Sequence, residues 1–152
     1  MNIFFLHWDP EEAARLLCDK HVVKMVLETA QILSTIYGGP YKPTHQNHPC
    51  TRWAKEAEDN YIWLCKHGLG IAREFERRYG KIHKSKEVIE EALIYYRRLC
   101  LPKGWTQPSL CMPEEYKEED VVNAYRRYYR SKKSVCSWKF KNKPEWYDGT
   151  SE

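Results

Sequence analysis

The chain has no C-x-x-C pair, no glycine-rich phosphate cradle, and no apolar run approaching membrane length. The first absence leaves six scattered cysteines, at 18, 50, 65, 100, 111 and 136, which read as reduced and mostly buried thiols. The second excludes a phosphate loop of the nucleotide-binding kind. The third excludes a membrane span. Period-two alternation is missing as well, so no strand is expected, and neither internal repeats nor low-complexity segments occur. The opening MNIFFLHWDP has no basic region and few apolar residues before Asp9, so a soluble, cytoplasmic protein is expected.

What remains is a chain of 152 residues, long enough to bury a core without disulfides or metals. It is expected to form one all-α domain over residues 1–152, a compact irregular helical bundle with a short lead-in segment at residues 1–8. Aromatic residues make up 14% of it, including six Trp and eleven Tyr, more than a core alone requires. The net charge of +4 is unevenly spread. Residues 121–152 hold eight Lys/Arg against three acids, whereas residues 1–120 are nearly balanced. This basic, aromatic end fits phosphate contact and base stacking through Arg126, Arg127, Arg130, Lys132 and Lys133. It fits equally a solvated tail packed on the domain.

Asp9-Pro10-Glu11-Glu12 is a helix start that predicts a first helix to about Cys18. Asp19 can cap a second, which stops at Gly38-Gly39-Pro40. A polar loop from Tyr41 to Pro49 leads to a long helix over about Cys50–Tyr79, with Gly68 and Gly70 as candidate bends. Further helices are expected at about Ser85–Leu99 and Glu119–Ser131, separated by a proline- and glycine-punctuated loop from Cys100 to Pro113.

The second helix is the most informative. His21, Lys24, Glu28, Gln31 and Thr35 sit at offsets that place them within about 80° of arc, and the rest of the circumference is mostly apolar. Such a seam either reaches water along one edge or lines a cavity. A carboxylate beside a lysine and an imidazole in a cavity is a catalytic arrangement. The adjoining segment Tyr41–Trp53 adds Thr44, His45, Asn47, His48 and Arg52, side chains that can read a base or hold a phosphate ahead of a helix N-terminus. His45-x-x-His48-x-Cys50 raises a metal-dependent hydrolase as one alternative, although no second ligand pair accompanies it. The zinc-deaminase signature is unmatched, because position 53 is tryptophan. Cys18 with His21, or Cys50 with His48, offers a thiol and a base, but nothing in the spacing favours either over inert thiols.

Cys18-Asp19-Lys20-His21 followed by Glu28 resembles the phage pyrimidine-dimer DNA glycosylases of the endonuclease V type, in which Asp-x-His is followed by glutamate seven residues after the histidine. The resemblance covers roughly residues 1–80. It implies a DNA glycosylase with β-lyase activity in which the N-terminal α-amine attacks the sugar and Glu28 is the catalytic carboxylate, with His21 assisting. Asn2 stands where the family has a small residue. Methionine removal should then be inefficient, and the amine is expected on Met1 with Asn2 beside it in the catalytic set. Leu27 and Gln31 stand where the family has arginines, so the expected substrate is a damaged or modified pyrimidine rather than the dimer alone. Lys20, Lys24, Gln31, Thr44, His45, Asn47, His48, Arg52 and Trp53 are the expected substrate-binding set. The partner is DNA, with no membrane, metal or cofactor, and a monomer is expected, in the host cytoplasm if phage-encoded. A non-enzymatic helical module that binds nucleic acid or a nucleotide is the other alternative.

Overall fold

In the computed structural model, which describes residues 1–148, the chain is all-helical: six α-helices and three short 3₁₀ turns, with no strand among the described residues. The α-helices are α1 (Pro10–Arg15), α2 (Asp19–Tyr37), α3 (Pro49–Glu56), α4 (Glu58–Tyr79), α5 (Lys86–Ile94) and α6 (Val121–Arg130). No helix among these residues is long and apolar enough to cross a membrane. Helix α4 is the hub, packing against α1, α2, α3 and α5.

Local chemistry explains the ends. The Asp9 carboxylate accepts the backbone N–H of Glu11 at 2.8 Å and of Glu12 at 3.0 Å, and Pro10 opens α1. Helices α2 and α4 stop at Gly38 (φ 76°) and Gly80 (φ 74°), whose left-handed backbone a side chain would strain. Asp19 does not cap α2. It is the first helical residue, and its carboxylate is drawn to the Arg78 guanidinium at 3.1 Å and to the backbone N–H of Lys139 at 2.7 Å.

The long helix expected from Cys50 is two helices, broken at Ala57 (φ −154°, ψ 151°). No proline or glycine marks the break; a distant loop makes it. Glu58 and Asp59 donate their N–H groups to the carbonyls of Pro102 and Gly104, and the Asn60 amide donates to Trp53 O and Thr106 Oγ1. These contacts satisfy the backbone groups a helix interruption orphans. Gly68 and Gly70 do not bend α4, which is continuous through both. A Cβ on Gly68 would lie 2.8 Å from Thr29 Cγ2 and 2.9 Å from Ile89 Cδ1, so this glycine is the notch where α2 and α5 cross α4.

The lead-in segment is far more than a connector. Ile3, Phe4, Phe5 and Leu6 are all buried, and the Phe5 ring packs against Trp53 (5.1 Å between centroids), Trp63 (4.5 Å) and Tyr125 (5.5 Å). It is thereby wedged between α3–α4 and α6. That placement carries the chain's first residue onto the face of α2.

Candidate active site

Three contacts fix the residue next to the amino terminus. The Asn2 amide donates to the Cys111 carbonyl at 2.9 Å, its Oδ1 accepts the Ile3 N–H at 2.8 Å, and the Cys50 thiol lies 3.7 Å from the same oxygen. Asn2 is therefore an anchor, and Met1 is the residue whose amine is presented. That amine lies 3.8 Å from Glu28 Oε1, and Lys24 Nζ lies 3.7 Å from Glu28 Oε2. The Glu28 side chain is only 16% exposed, and its Oε1 is buried without a hydrogen-bond partner. A buried carboxylate oxygen facing an amine, beyond hydrogen-bond distance, keeps its accepting capacity for another atom.

The polar loop is stapled to α2 beside this pair. Ser34 Oγ accepts the Tyr41 N–H at 2.9 Å, and Thr35 Oγ1 accepts the Thr44 N–H at 3.1 Å while donating to Gln31 O at 2.8 Å. Tyr41 is held further by Ser85, 2.8 Å between hydroxyls. Between helix and loop runs a groove of about 590 Å³ whose walls include Leu27, Gln31, Tyr41, Thr44 and His45. Its α2 wall, Leu27 and Gln31, lies one residue before and three residues after Glu28 in the helix. His45 adopts a left-handed backbone (φ 51°), unusual for a residue with a side chain, and Thr44 Oγ1 lies 2.8 Å from its Nδ1.

His48 caps α3, its Nδ1 accepting the Cys50 N–H at 3.1 Å. That bond places the neutral ring's proton on Nε2. Burial first, and then the positive charge of the amino terminus, hold its pKa below the ordinary histidine value, so it is neutral at pH 7. Beneath it Cys50 and Cys111 face each other with sulfurs 3.8 Å apart; their hydrogen bond pushes Cys50 up and draws Cys111 down to about 7.

His21 and Trp53 fall elsewhere. His21 is 5% exposed, stacked on Phe4 (4.7 Å, 14° between planes) with Nδ1 2.8 Å from the Tyr129 hydroxyl, so it supports the lead-in segment rather than the carboxylate. Trp53, expected at the substrate surface, is 1% exposed and donates its indole N–H to Thr106 O; it is core. Lys20, Lys24, Asn47 and Arg52 are exposed, and Gln31 and Thr44 are half-buried. Among the described residues the one group of three His, Cys or acidic side chains with converging donor atoms is Cys18, His21 and Cys136, not His45, His48 and Cys50.

The basic C-terminal end is engaged internally. Arg126 donates to Leu6 O at 2.8 Å and sits over the Trp146 ring, Arg127 pairs with Glu118, and Arg130 donates to Trp146 O. Lys132 lies over Tyr128, and Lys133 donates to Tyr147 O at 3.1 Å. Arg126 and Arg130 tie the tail at Trp146 to α6.

The fold is a helical bundle in which the amine of the first residue lies against a carboxylate of α2. The family model for pyrimidine dimer DNA glycosylase matches residues 1–88, which include the lead-in, α2, the polar loop, α3 and α4. The chain belongs to the pyrimidine dimer DNA glycosylase family, which makes it a DNA glycosylase with DNA as its substrate. No curated protein and no solved structure matched the chain.

Proposed function

We propose that the chain is a glycosylase with associated β-lyase activity on damaged or modified pyrimidines in DNA, with Met1 as nucleophile and Glu28 as catalytic carboxylate. The observation that carries this reading is the buried, unpartnered Glu28 Oε1 at 3.8 Å from the α-amine. An α-amine is intrinsically less basic than a lysine side chain, with reference pKa values near 8 and about 10.4, which suits it to act as a nucleophile. Attack forms the N–C1′ bond and breaks the glycosidic bond, whose electrons leave with the base. The cationic sugar that develops lies against the Glu28 carboxylate. Ring opening then gives an iminium, and loss of the C2′ proton expels the 3′ phosphate by β-elimination, with Glu28 moving the proton.

The groove along Leu27 and Gln31 is the proposed site for an unstacked nucleotide, and Gln31 and Thr44 offer amide and hydroxyl groups for its edge. His45 borders it from the loop. His48, with its proton on Nε2, is a donor toward sugar or phosphate oxygen. His21 acts as a positioning residue through Phe4. Phosphate contact falls to the exposed Lys20, Lys24, Lys42 and Arg52 rather than to the C-terminal cations.

A duplex carrying one pyrimidine lesion tests the reading by its products. Strand cleavage leaving an unsaturated aldehyde end is expected. Base release without cleavage removes the lyase step, and tight binding with no product supports the non-enzymatic alternative.

A further inference from the structure

We propose that Cys18, His21 and Cys136 bind a zinc ion that clips the C-terminal tail onto the start of α2. Cys18 precedes the first turn of α2, His21 lies within it, and Cys136 comes from the tail beyond α6. One donor atom from each lies within 4.8 Å of the others. A tetrahedral ion with Zn–S near 2.3 Å and Zn–N near 2.0–2.1 Å needs donors about 3.5–3.8 Å apart, so a movement of about 1 Å closes the set. Two thiolates and an imidazole are a donor set suited to zinc, and hard cations such as magnesium are poorly served by it.

The surroundings fit a bound ion. The Tyr129 hydroxyl touches both His21 Nδ1, at 2.8 Å, and the Cys18 backbone N–H, at 2.9 Å, which orients two of the three ligand-bearing residues. The tail is already tied to the same place by the Asp19 N–H donating to Ser137 O at 2.9 Å. Two buried donors on the tail, Trp138 Nε1–H and the Tyr147 hydroxyl, have no hydrogen-bond partner. Both residues share with Cys136 the wall of a groove of about 450 Å³. The groove opens at Cys136 and gives an ion a path to the cluster. Since Phe4 stacks on His21, the ion also steadies the lead-in segment.

The test is spectroscopic and independent of catalysis. Full-length protein freed of metal by chelator under reducing conditions is titrated with Co²⁺ and then with Zn²⁺. One equivalent of Co²⁺ should give thiolate-to-cobalt charge-transfer and tetrahedral ligand-field bands, and zinc should displace it. Cys18→Ser or Cys136→Ser should weaken binding beyond the roughly 10–100-fold that an outer-shell partner costs, and Tyr129→Phe should fall inside that range. Cys100→Ser, on an exposed loop, should bind as the parent does. If the cysteine variants do not fold, the parent titration still decides. Absence of the bands overturns the proposal. So does a purified chain lighter by two hydrogens with Cys18 joined to Cys136, which would make the pair a disulfide instead.

Discussion

Glu28→Gln isolates the charge on which the proposed chemistry depends. The carboxylate oxygen lies 3.8 Å from the attacking nitrogen, so the charge that develops on the sugar carbon bonded to it forms within a few ångströms of the carboxylate. Opposite charges about 4 Å apart interact by about 4 kcal/mol at an effective dielectric near 20, and losing that is worth about three orders of magnitude in rate. Glutamine keeps the shape. The other losses are the ion pair with the Met1 amine, at 3.8 Å, and the one with Lys24, whose side chain is 55% exposed and whose pair contributes about 1 kcal/mol or less. Folding stability should therefore fall by much less than the chemistry slows. Single-turnover cleavage of a lesion-bearing duplex measures the rate, and urea unfolding measures stability. A fall of about a thousandfold is expected, against a few-fold change for Lys24→Ala. A glutamine variant within about tenfold of the parent rate, at equal stability, would refute the role given to Glu28.

His67 is buried with Nδ1–H donating to Pro10 O at 2.9 Å, and burial pulls its pKa from 6.5 to about 4. The unfolded chain therefore takes up the proton first: stability is complete above about pH 6.5 and is lost progressively as pH falls to about 4, by on the order of 3 kcal/mol. Urea unfolding across that range should show this slope in the parent and a shallower one in His67→Phe; equal slopes would contradict it. Gly68→Ala should destabilise by about 1–2 kcal/mol, because overpacking against Thr29 and Ile89 outweighs the helix-propensity gain of about 1 kcal/mol. A raised melting temperature would contradict that. Thr35→Val removes the acceptor for the Thr44 N–H, so hydrogen exchange at Thr44 should quicken and DNA affinity should fall about fivefold, in line with about 1 kcal/mol for one hydrogen bond. Unchanged protection at Thr44 would show that the loop is held by other means.

The sequence made the helix starts and stops legible where they are local. Asp9-Pro10 and Gly38 act through their own backbone neighbourhood, and the structure uses each at a helix end. The break at Ala57 was hidden because its cause lies more than 40 residues away, in the loop that bonds to Glu58, Asp59 and Asn60. Residues 3–6 are too few to show a period, so their burial could not be read from spacing. Periodicity did find the face of α2 that carries Glu28. It could not show that Thr35 on that face would staple the loop, or that His21 would turn to Phe4 and Tyr129. Charge counting located the basic tail but could not tell a phosphate partner from a carbonyl one. Of the Cys18, His21 and Cys136 cluster, only the Cys-x-x-His half is local, and its third member comes from the far end of the fold.

Borohydride trapping asks directly whether the Met1 amine forms an imine with the sugar. Protein is mixed with duplex DNA carrying an abasic site, the imine is reduced, and the adduct is digested and sequenced by mass spectrometry. A covalent protein–DNA species with the sugar remnant on the α-nitrogen of Met1 is expected. No adduct, or an adduct on a lysine side chain with the Met1 amine unmodified, would contradict it.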